Sequence, residues 1–355
     1  MWHTSADSTT LKRSGVQPVK LRCQRMLGWF GVLIGWLACG LAWAASLHAQ
    51  TPPEFTTIQR LTNKEVRLQW NAPTGSGYRI DVSTNLPVWN SLITLTGATT
   101  SLQITDSAAP FLGTRYYRAE QLSLLNLITG DHLTTTNGDV IIHPVGHAGF
   151  VMSWNGIMIY NDPTNAAAYA SFPRADLILV SHNHGDHFEA ATLTTVLKPN
   201  GIIIAPVGVY NSMSTTLRSN TIVLGSGVQA AIYPTFTNVL GITVQAVAGT
   251  NANHLSGVNN AYVTTIAGKR ILTSGDTGNT EEIRALQNID VAFLSMNIPF
   301  TMDAIQATNC IRAMRPKVVY PYHYKNSGGQ TTNAATFKQW LGTDLGIEVR
   351  LRKWY

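Results

Sequence analysis

The sequence predicts an α/β domain preceded by a small all-β sandwich, and three observations carry that prediction. Short alternating strands fill positions 54–120, with turn residues at the spacing of about 8–12 residues that suits an antiparallel sandwich. From 139 onward, apolar strand runs alternate with helical patterns. Several of those later strands end in a metal-competent residue: His182 and His184, His254, Asp276 and His323.

The chain has 355 residues, enough for about two domains of about 150 residues each. Hydrophobic residues make up 45% and charged residues 12%, a balance that supports a sizeable core and excludes a disordered chain. The net charge of +6 is concentrated in the leader. Lys12, Arg13, Lys20, Arg22 and Arg25 against Asp7 contribute +4 before residue 50, so the remainder carries only +2 and gives no case for a nucleic-acid partner. Those cations precede the apolar run Met26–Ala38 and the small-residue sites Ala42-Trp43-Ala44 and Leu47-His48-Ala49. Basic, apolar and small-residue segments in that order read as a secretory signal over 1–49, cleaved near Ala44 or Ala49, with Met26 as an alternative start. The expectation is a secreted, periplasmic or cell-envelope protein with no stable membrane span after cleavage. An uncleaved anchor is the competing account, since the apolar span of about 19 residues is barely long enough to cross a bilayer. A lipid anchor at Cys39 is a further one, although Trp36 stands where such sites usually carry Leu. Cys23 and Cys39 lie in the leader, so only Cys310 remains and no internal disulfide can form. Cys310 falls in a helical pattern and reads as a small core residue.

The first module is expected over 52–122, after Thr51-Pro52-Pro53. Its strands are Val66–Trp70, Gly77–Val82, Trp89–Leu95, Ser101–Thr105 and Thr114–Ala119, with turns such as Ala72–Gly75. LQW (68–70), YRIDVSTNLPVW (78–89) and RYYRAEQL (115–122) resemble a fibronectin type III module. It carries no titratable cluster, which suits a spacer, docking or stabilising role. Residues 121–136 read as a connection, and His132 within them as a solvated loop histidine.

The second domain is expected over 131–355. Asp139–Gly146 and Gly149–Trp154 are strands, and Asn155-Gly156 turns the latter into Ile157–Tyr160, a strong hairpin signal. Ala175–Val180 is a buried strand, followed by a helix near Glu189–Leu197. Strands follow at Gly201–Ala205, Thr221–Leu224, Gly227–Tyr233 and Ile242–Ala248. Ala261–Ile266 and Arg270–Thr273 form a second hairpin. Glu281–Gln287 is a helix and Val291–Ser295 a strand. Ala304–Met314 is an amphipathic helix stopped by Pro316. Lys317–Tyr320 delivers Pro321-Tyr-His-Tyr324, and a helix near Ala334–Leu341 and a strand Glu348–Leu351 close the chain.

The densest chemistry is Ser181-His182-Asn183-His184-Gly185-Asp186-His187, directly after the strand. Imidazole and carboxylate suit zinc, iron and manganese. If the chain stays extended past Ser181, alternation points His182 and His184 the same way, toward one metal. Gly185 can turn the backbone freely, so Asp186 and His187 can serve a second.

With these residues in hand, 139–352 resembles a metallo-β-lactamase-fold hydrolase. It is similar to the branch that includes ascorbate-6-phosphate lactonase-like and N-acylphosphatidylethanolamine phospholipase D-like proteins. The carriers are GHAGFVMSWNGIMIYNDP (146–163), ADLILVSHNHGDHF (175–188), GKRILTSGDTGNT (268–280), NIPFTM (297–302) and RPKVVYPYHY (315–324). The resemblance implies a four-layered αββα sandwich with a two-metal site at one edge. It implies that His182, His184 and His254 hold one divalent ion, that Asp186, His187 and His323 hold the other, and that Asp276 bridges them. Asp162 would orient a ligand. Asp186, His187 and Asp276 are the residues through which a metal-bridging hydroxide would be set up to attack. Zinc is the first expectation for both ions, with manganese or iron as alternatives.

The implied activity is an exported dinuclear hydrolase of a small-molecule or lipid-like ester, lactone or phosphodiester. A surface-binding protein with a vestigial hydrolase domain, a β-lactamase and a diiron redox enzyme are the alternatives. Asp276 could instead cap a helix, and His323 or His254 could be core histidines. His147 is divided between substrate contact and structural hydrogen bonding. His143 is read as facing solvent or a neighbouring strand. Phe300, Met302 and Tyr324 are candidates to line a cleft, or core residues. The sequence carries no signal for an oligomeric state.

Overall fold

In the computed structural model, which describes residues 53–97, 100–325, 329 and 331–355, alternation along the strands decides the layering. The expected leader, its cleavage sites, Cys23 and Cys39 lie outside the described residues. In Gly149–Trp154, Phe150 and Met152 face one core and Val151 another. In Ala175–Leu179, Leu177 and Leu179 oppose Ile178 in the same way. In the second sheet, Val291 and Phe293 oppose Ala292 and Leu294, and Tyr320 and Tyr322 oppose Val319. One core therefore lies between two sheets, and each sheet has a second core on its outer face. The helix Ala190–Val196 covers one outer face through Leu193 and Val196. The helices Ala304–Met314 and Ala334–Leu341 cover the other through Ala307, Cys310, Ile311, Met314, Phe337 and Leu341. The order is helix, sheet, sheet, helix, as expected, and Cys310 is a core residue.

The larger sheet runs Thr221–Val223, Leu197–Ala205, Ala175–Leu179, Ile157–Asn161, Gly149–Trp154, Val140–Gly146, Gly130–Leu133, Asn90–Thr96, Gly77–Ser83, Tyr116–Leu122. The facing sheet runs Phe236–Val239, Ile242–Gly249, Asn259–Ile266, Lys269–Thr273, Val291–Ser295, Val318–Tyr322, Glu348–Val349. Ile157–Asn161 and Ala175–Leu179 are parallel neighbours in one sheet, and Lys269–Thr273, Val291–Ser295 and Val318–Tyr322 in the other. The carboxyl ends of parallel strands are where open α/β sheets place ligands. Between the sheets, the Phe150 and Phe293 rings stack at 4.0 Å, and Phe293 stacks on Tyr320 at 4.9 Å. Each such ring buried contributes about 1.5–3 kcal/mol, so the strand ends rest on a rigid base.

The N-terminal strands form a three-stranded sheet, Phe55–Arg60, Val66–Asn71 and Ser101–Asp106, facing Gly77–Ser83, Asn90–Thr96 and Tyr116–Leu122. Leu68, Trp70, Tyr78, Ile80 and Ile93 fill the space between. The second of these sheets is continuous with the larger one, because Ile93 pairs with Asp131 and Thr94 with Gly130. The residues 130–133 expected as a connection thus form a strand. His132 is held there by Thr94 Oγ1 at 2.8 Å and Asp139 at 2.9 Å, not solvated.

Other local expectations also change. Residues 227–233 do not form a strand: Gly227 sits at φ 51° and opens a 3-10 turn, Gly227–Ala231, and the strand comes later at Phe236–Val239. The helix expected over 281–287 spans only Glu281–Arg284, capped by the Thr280 hydroxyl. Short helices at Val207–Asn211 and Thr215–Ser219 carry too few residues for a visible period. Among the described residues no helix is long and apolar enough to cross a membrane.

The C-terminal tail is tied to the junction between the modules. Buried Asp131 accepts two bonds from Arg352, both at 2.8 Å, and one from the Tyr320 hydroxyl at 2.8 Å. Burial pushes the Asp131 carboxyl up, but Arg352 and Arg350 outweigh it and hold the group below the usual range. Removing one partner of a buried pair costs about 3–5 kcal/mol. Arg352→Met should therefore lower the unfolding free energy by about 3 kcal/mol, measured from urea midpoints at constant m-value. A loss below about 1 kcal/mol would mean that the pair contributes no more than a surface ion pair.

Candidate metal centre

The strand Ala175–Leu179 ends before the histidine-rich stretch, and the chain then turns instead of running on extended. His187 N–H and Phe188 N–H both donate to the His184 carbonyl, at 3.0 and 2.8 Å. His182 and His184 therefore converge through a loop, not through strand alternation. Gly185 does not supply the turn's freedom either: its φ is not left-handed, and a Cβ there would meet open space.

The loop is held by Asp162, at the end of the neighbouring parallel strand. Asp162 is fully buried and adopts φ 40°. Its carboxylate accepts from Ser181 N at 2.7 Å, Ser181 Oγ at 2.8 Å and His187 Nδ1 at 2.9 Å. Three donors offset the cost of burying the charge. They also fix the His187 tautomer, so that Nε2 is aimed at the centre. Burial opposes the charged form of His187, but Asp276 and Asp162 on either side outweigh it and hold its pKa well above the usual histidine range.

Asp276 comes from the end of Lys269–Thr273 through Ser274-Gly275. Gly275 is required: its φ is 55°, and a Cβ would lie 2.6 Å from Asn259 Oδ1 and 2.8 Å from Ser181 Cβ. The two oxygens of Asp276 point in different directions. Oδ1 lies 3.3 Å from His187 Nε2 and 3.4 Å from His323 Nε2, and Oδ2 lies 4.0 Å from His182 Nε2. Burial raises the Asp276 pKa, but His187 and His323 outweigh it, so the group stays ionised. His323 follows Val318–Tyr322 at φ 48°. Its Nε2 is 3.0 Å from His187 Nε2 and 3.3 Å from Asp186 Oδ2. Three non-glycine residues at positive φ within one site, Asp162, His323 and His147, store about 1–3 kcal/mol of strain each, which the surrounding sheet ends must support.

On the other side, His254 Nε2 lies 3.3 Å from His184 Nδ1, and the His182 ring is 4.4 Å from the His254 ring and 4.7 Å from the His184 ring. Burial depresses the His182 pKa to about 2, with His187 adding to the effect, so this imidazole is neutral at physiological pH. His254 is set by Asn251. The amide oxygen of Asn251 accepts from Asn253 N and His254 N, and its nitrogen donates to Asp276 O and His254 Nδ1. His254 is thereby hydrogen-bonded in the tautomer that keeps its proton on Nε2, and the Asn297 amide nitrogen meets His323 Nδ1 in the same way at 3.2 Å.

All seven residues expected to hold metal are thus gathered in one place: His182, His184 and His254 on one side, Asp186, His187 and His323 on the other, Asp276 between. The donor set suits divalent metal. Three-residue groups with mutually close ligand atoms are His182/His184/His254, His182/His187/Asp276 and His147/Asp186/His323. His182 Nε2 and Asp276 Oδ1 are buried without a hydrogen-bond partner among the described residues. A buried acceptor left unpaired is costly, and cations held in the centre would satisfy both.

The centre opens into a cleft of about 750 Å³ lined by His184, Asp186, Asp276, Phe300, Lys325 and Tyr355, among others. Phe300 therefore lines the cleft, whereas Met302 is fully buried in the outer core and Tyr324 packs against the cores. Asp276 caps no helix. His143 faces its neighbours, bonding Thr129 Oγ1 at 2.8 Å and meeting the Phe172 ring edge-on. His147 bonds Asp186 Oδ2 at 3.0 Å and the Tyr355 hydroxyl at 2.9 Å. Sequence reasoning missed Ser181, Asn251, Asn297, Lys325 and Tyr355. Ser181 and Asn297 could have been found, since both directly follow strands that feed the centre; Tyr355 carries no such signal.

A family model described as the beta-lactamase superfamily domain matches residues 142–323, a span that contains all seven residues. The UPF0173 metal-dependent hydrolase of Pelotomaculum thermopropionicum is 29% identical over 226 residues, covering 58% of this chain and 94% of that protein. Its counterpart in Hyperthermus butylicus is 29% identical over 192 residues, covering 51% and 81%. Among solved structures, a Parabacteroides distasonis protein, itself only inferred to be a metal-dependent hydrolase, is 31% identical. The similarity covers 64% of this chain and 99% of that one, with a TM-score of 0.55.

The Asp162 contact yields a direct test. Asn at 162 can still accept from Ser181 N, but its amide would donate toward His187 Nδ1 and move the ring proton to Nε2. Asp162→Asn should weaken metal binding by about 10–100-fold, measured by chelator competition, with the far-ultraviolet circular dichroism retained. Unchanged affinity would remove Asp162 from this role.

Proposed function

The chain belongs to the beta-lactamase superfamily, and from that premise we propose that it is an exported metal-dependent hydrolase that holds two divalent ions and cleaves an ester, lactone or phosphodiester bond. The carrying observation is the division of Asp276, with Oδ2 toward His182 and Oδ1 toward His187 and His323. His182, His184 and His254 would hold one ion, Asp186, His187 and His323 the other, and Asp276 both. When bound, two such ions lower the pKa of water toward neutrality and polarise a carbonyl or phosphoryl oxygen. The imidazole-rich set favours zinc, with manganese or iron as the other candidates.

The protein's own groups supply the rest. Asp162 orients His187. Asn297 holds His323 through Nδ1 at 3.2 Å. Phe300 offers an apolar wall to a small-molecule or lipid-like substrate. Lys325 places its ammonium over the Tyr355 ring at 5.5 Å, and no described carboxylate pairs with it, which favours substrates bearing an acidic group. The N-terminal module is proposed as a fibronectin type III-like spacer or docking domain outside the chemistry.

Elemental analysis of the metal-replete chain should give about two ions per chain; fewer than one would sink the reading. Asp276→Ala should reduce that number and abolish turnover across a panel of esters, lactones and phosphodiesters. Lys325→Met should raise KM about tenfold for anionic substrates, the equivalent of about 1.4 kcal/mol, and leave neutral ones unchanged. Equal effects on both would deny the ammonium a part in recognition.

A further inference from the structure

We propose that Tyr355 and His147 form a positioning chain that fixes the carboxylate of Asp186 and thereby sets the metal affinity of the Asp186/His187/His323 half-site. This rests on the two-ion reading above. Asp186 needs such support, because its side chain is 47% exposed on a turn. Its other polar contacts among the described residues are His323 Nε2 at 3.3 Å and His187 Nε2 at 3.8 Å. An exposed carboxylate on a turn pays conformational entropy to stay in one orientation.

The direction of each hydrogen bond follows from counting donors. Lys325 N–H can only donate, so the Tyr355 oxygen accepts it, at 3.2 Å. The phenol keeps its own proton, since burial pushes its pKa well above the usual tyrosine value. That proton goes to His147 Nδ1 at 2.9 Å. The Asp186 carboxylate can only accept, which puts a ring proton on His147 Nε2, 3.0 Å from Asp186 Oδ2, and leaves Nδ1 to accept from the phenol. The chain thus reads Lys325 N–H to Tyr355 O–H to His147 Nδ1, and His147 Nε2–H to Asp186.

The backbone clamps the same ring. His147 sits at φ 53°, donates its N–H to the Trp354 carbonyl at 3.0 Å and accepts at its own carbonyl from His323 N–H at 3.2 Å. The rival role is direct ligation, because His147, Asp186 and His323 are close enough to share an ion. Ligation through Nε2 would turn a lone pair toward the Asp186 oxygen and forfeit that bond. His147 is therefore a positioning residue, and Tyr355 acts through it.

The test uses the full chain, with zinc affinities measured stepwise by chelator competition and the histidine tautomers by nitrogen-15 spectra of the metal-stripped protein. Tyr355→Phe, which keeps the ring, should weaken one of the two zinc ions by about 10–100-fold and leave the other unchanged. His147→Ala should do the same, and His147→Gln, whose amide can donate to Asp186, should recover most of the loss. His147 should show a protonated Nε2. A wild-type Tyr355→Phe profile without rescue by Gln would make His147 a ligand and overturn the proposal. So would lower melting temperatures in these variants with both affinities intact. If the wild-type chain binds fewer than two ions, the two-ion reading falls. The tautomer then decides the chain on its own: protonated Nε2 that is lost in Tyr355→Phe upholds it, and protonated Nδ1 overturns it.

Discussion

The centre depends on one buried carboxylate. Asp162 has no access to solvent, so its charge must be met by donors inside the protein, and those donors are Ser181 and His187. Meeting that demand draws the loop after Ala175–Leu179 back over the end of Ile157–Asn161. The backbone of Asp162 adds a bond of its own, from its N–H to the Leu179 carbonyl at 2.9 Å. Two adjacent parallel strands are thus pinned where they release their loops. The position of His182 beside His187, with rings 4.1 Å apart, follows from that pinning.

The same logic separates the two sides of the centre. His182, His187, His254, His323 and Asp276 are buried, whereas His184 and Asp186 face the cleft. Buried groups take their orientation from packing and from fixed partners: Ser181 for His182, Asp162 for His187, Asn251 for His254, Asn297 for His323. Groups facing the cleft have no such packing and need explicit tethers. The stacked aromatic core between the sheets makes this workable, because Phe293 and Tyr320 lie on the very strands that lead to Asn297 and His323.

Much of this was legible in the sequence, and the exceptions share a cause. The αββα layering was legible through the family resemblance that the motifs carry, since Gly149–Trp154, Ala175–Leu179 and Val291–Ser295 are almost wholly buried and show no polar alternation of their own. The seven candidate ligands could be read because each follows or interrupts an apolar run, and a polar cluster in such a place demands a purpose. The geometry of the loop could not. Gly185 suggested a hinge, yet the turn is closed by the His184 carbonyl, and Gly275 is the glycine that the packing requires. His132 looked solvated because its partner Thr94 is 38 residues away on a strand of the N-terminal module. His147 and Tyr355 are 208 residues apart, a pairing that no local pattern encodes.

That last separation bears on why the N-terminal module and the tail belong to the site's architecture. Arg352 and Arg350 anchor the tail in the junction, through Asp131 on the strand that pairs with the N-terminal module and through Glu348, which accepts from Ser107 at 2.7 Å. Lys338 on the helix Ala334–Leu341 pairs with Glu65 of the same module. Two residues past Arg352, Trp354 is buried against Phe150, Phe293 and Tyr322, and its carbonyl holds His147. Tyr355 follows at the cleft. A tail of six residues, 350–355, therefore runs from the buried ion network at the module junction to the rim of the metal centre. Its anchors lie outside the span 142–323 that carries the ligands. A strain at the junction runs along this tail to Tyr355 and from there to Asp186 through the hydrogen bonds of His147. It reaches His323 by a separate route, through Tyr320, which donates to Asp131 and lies three residues before His323.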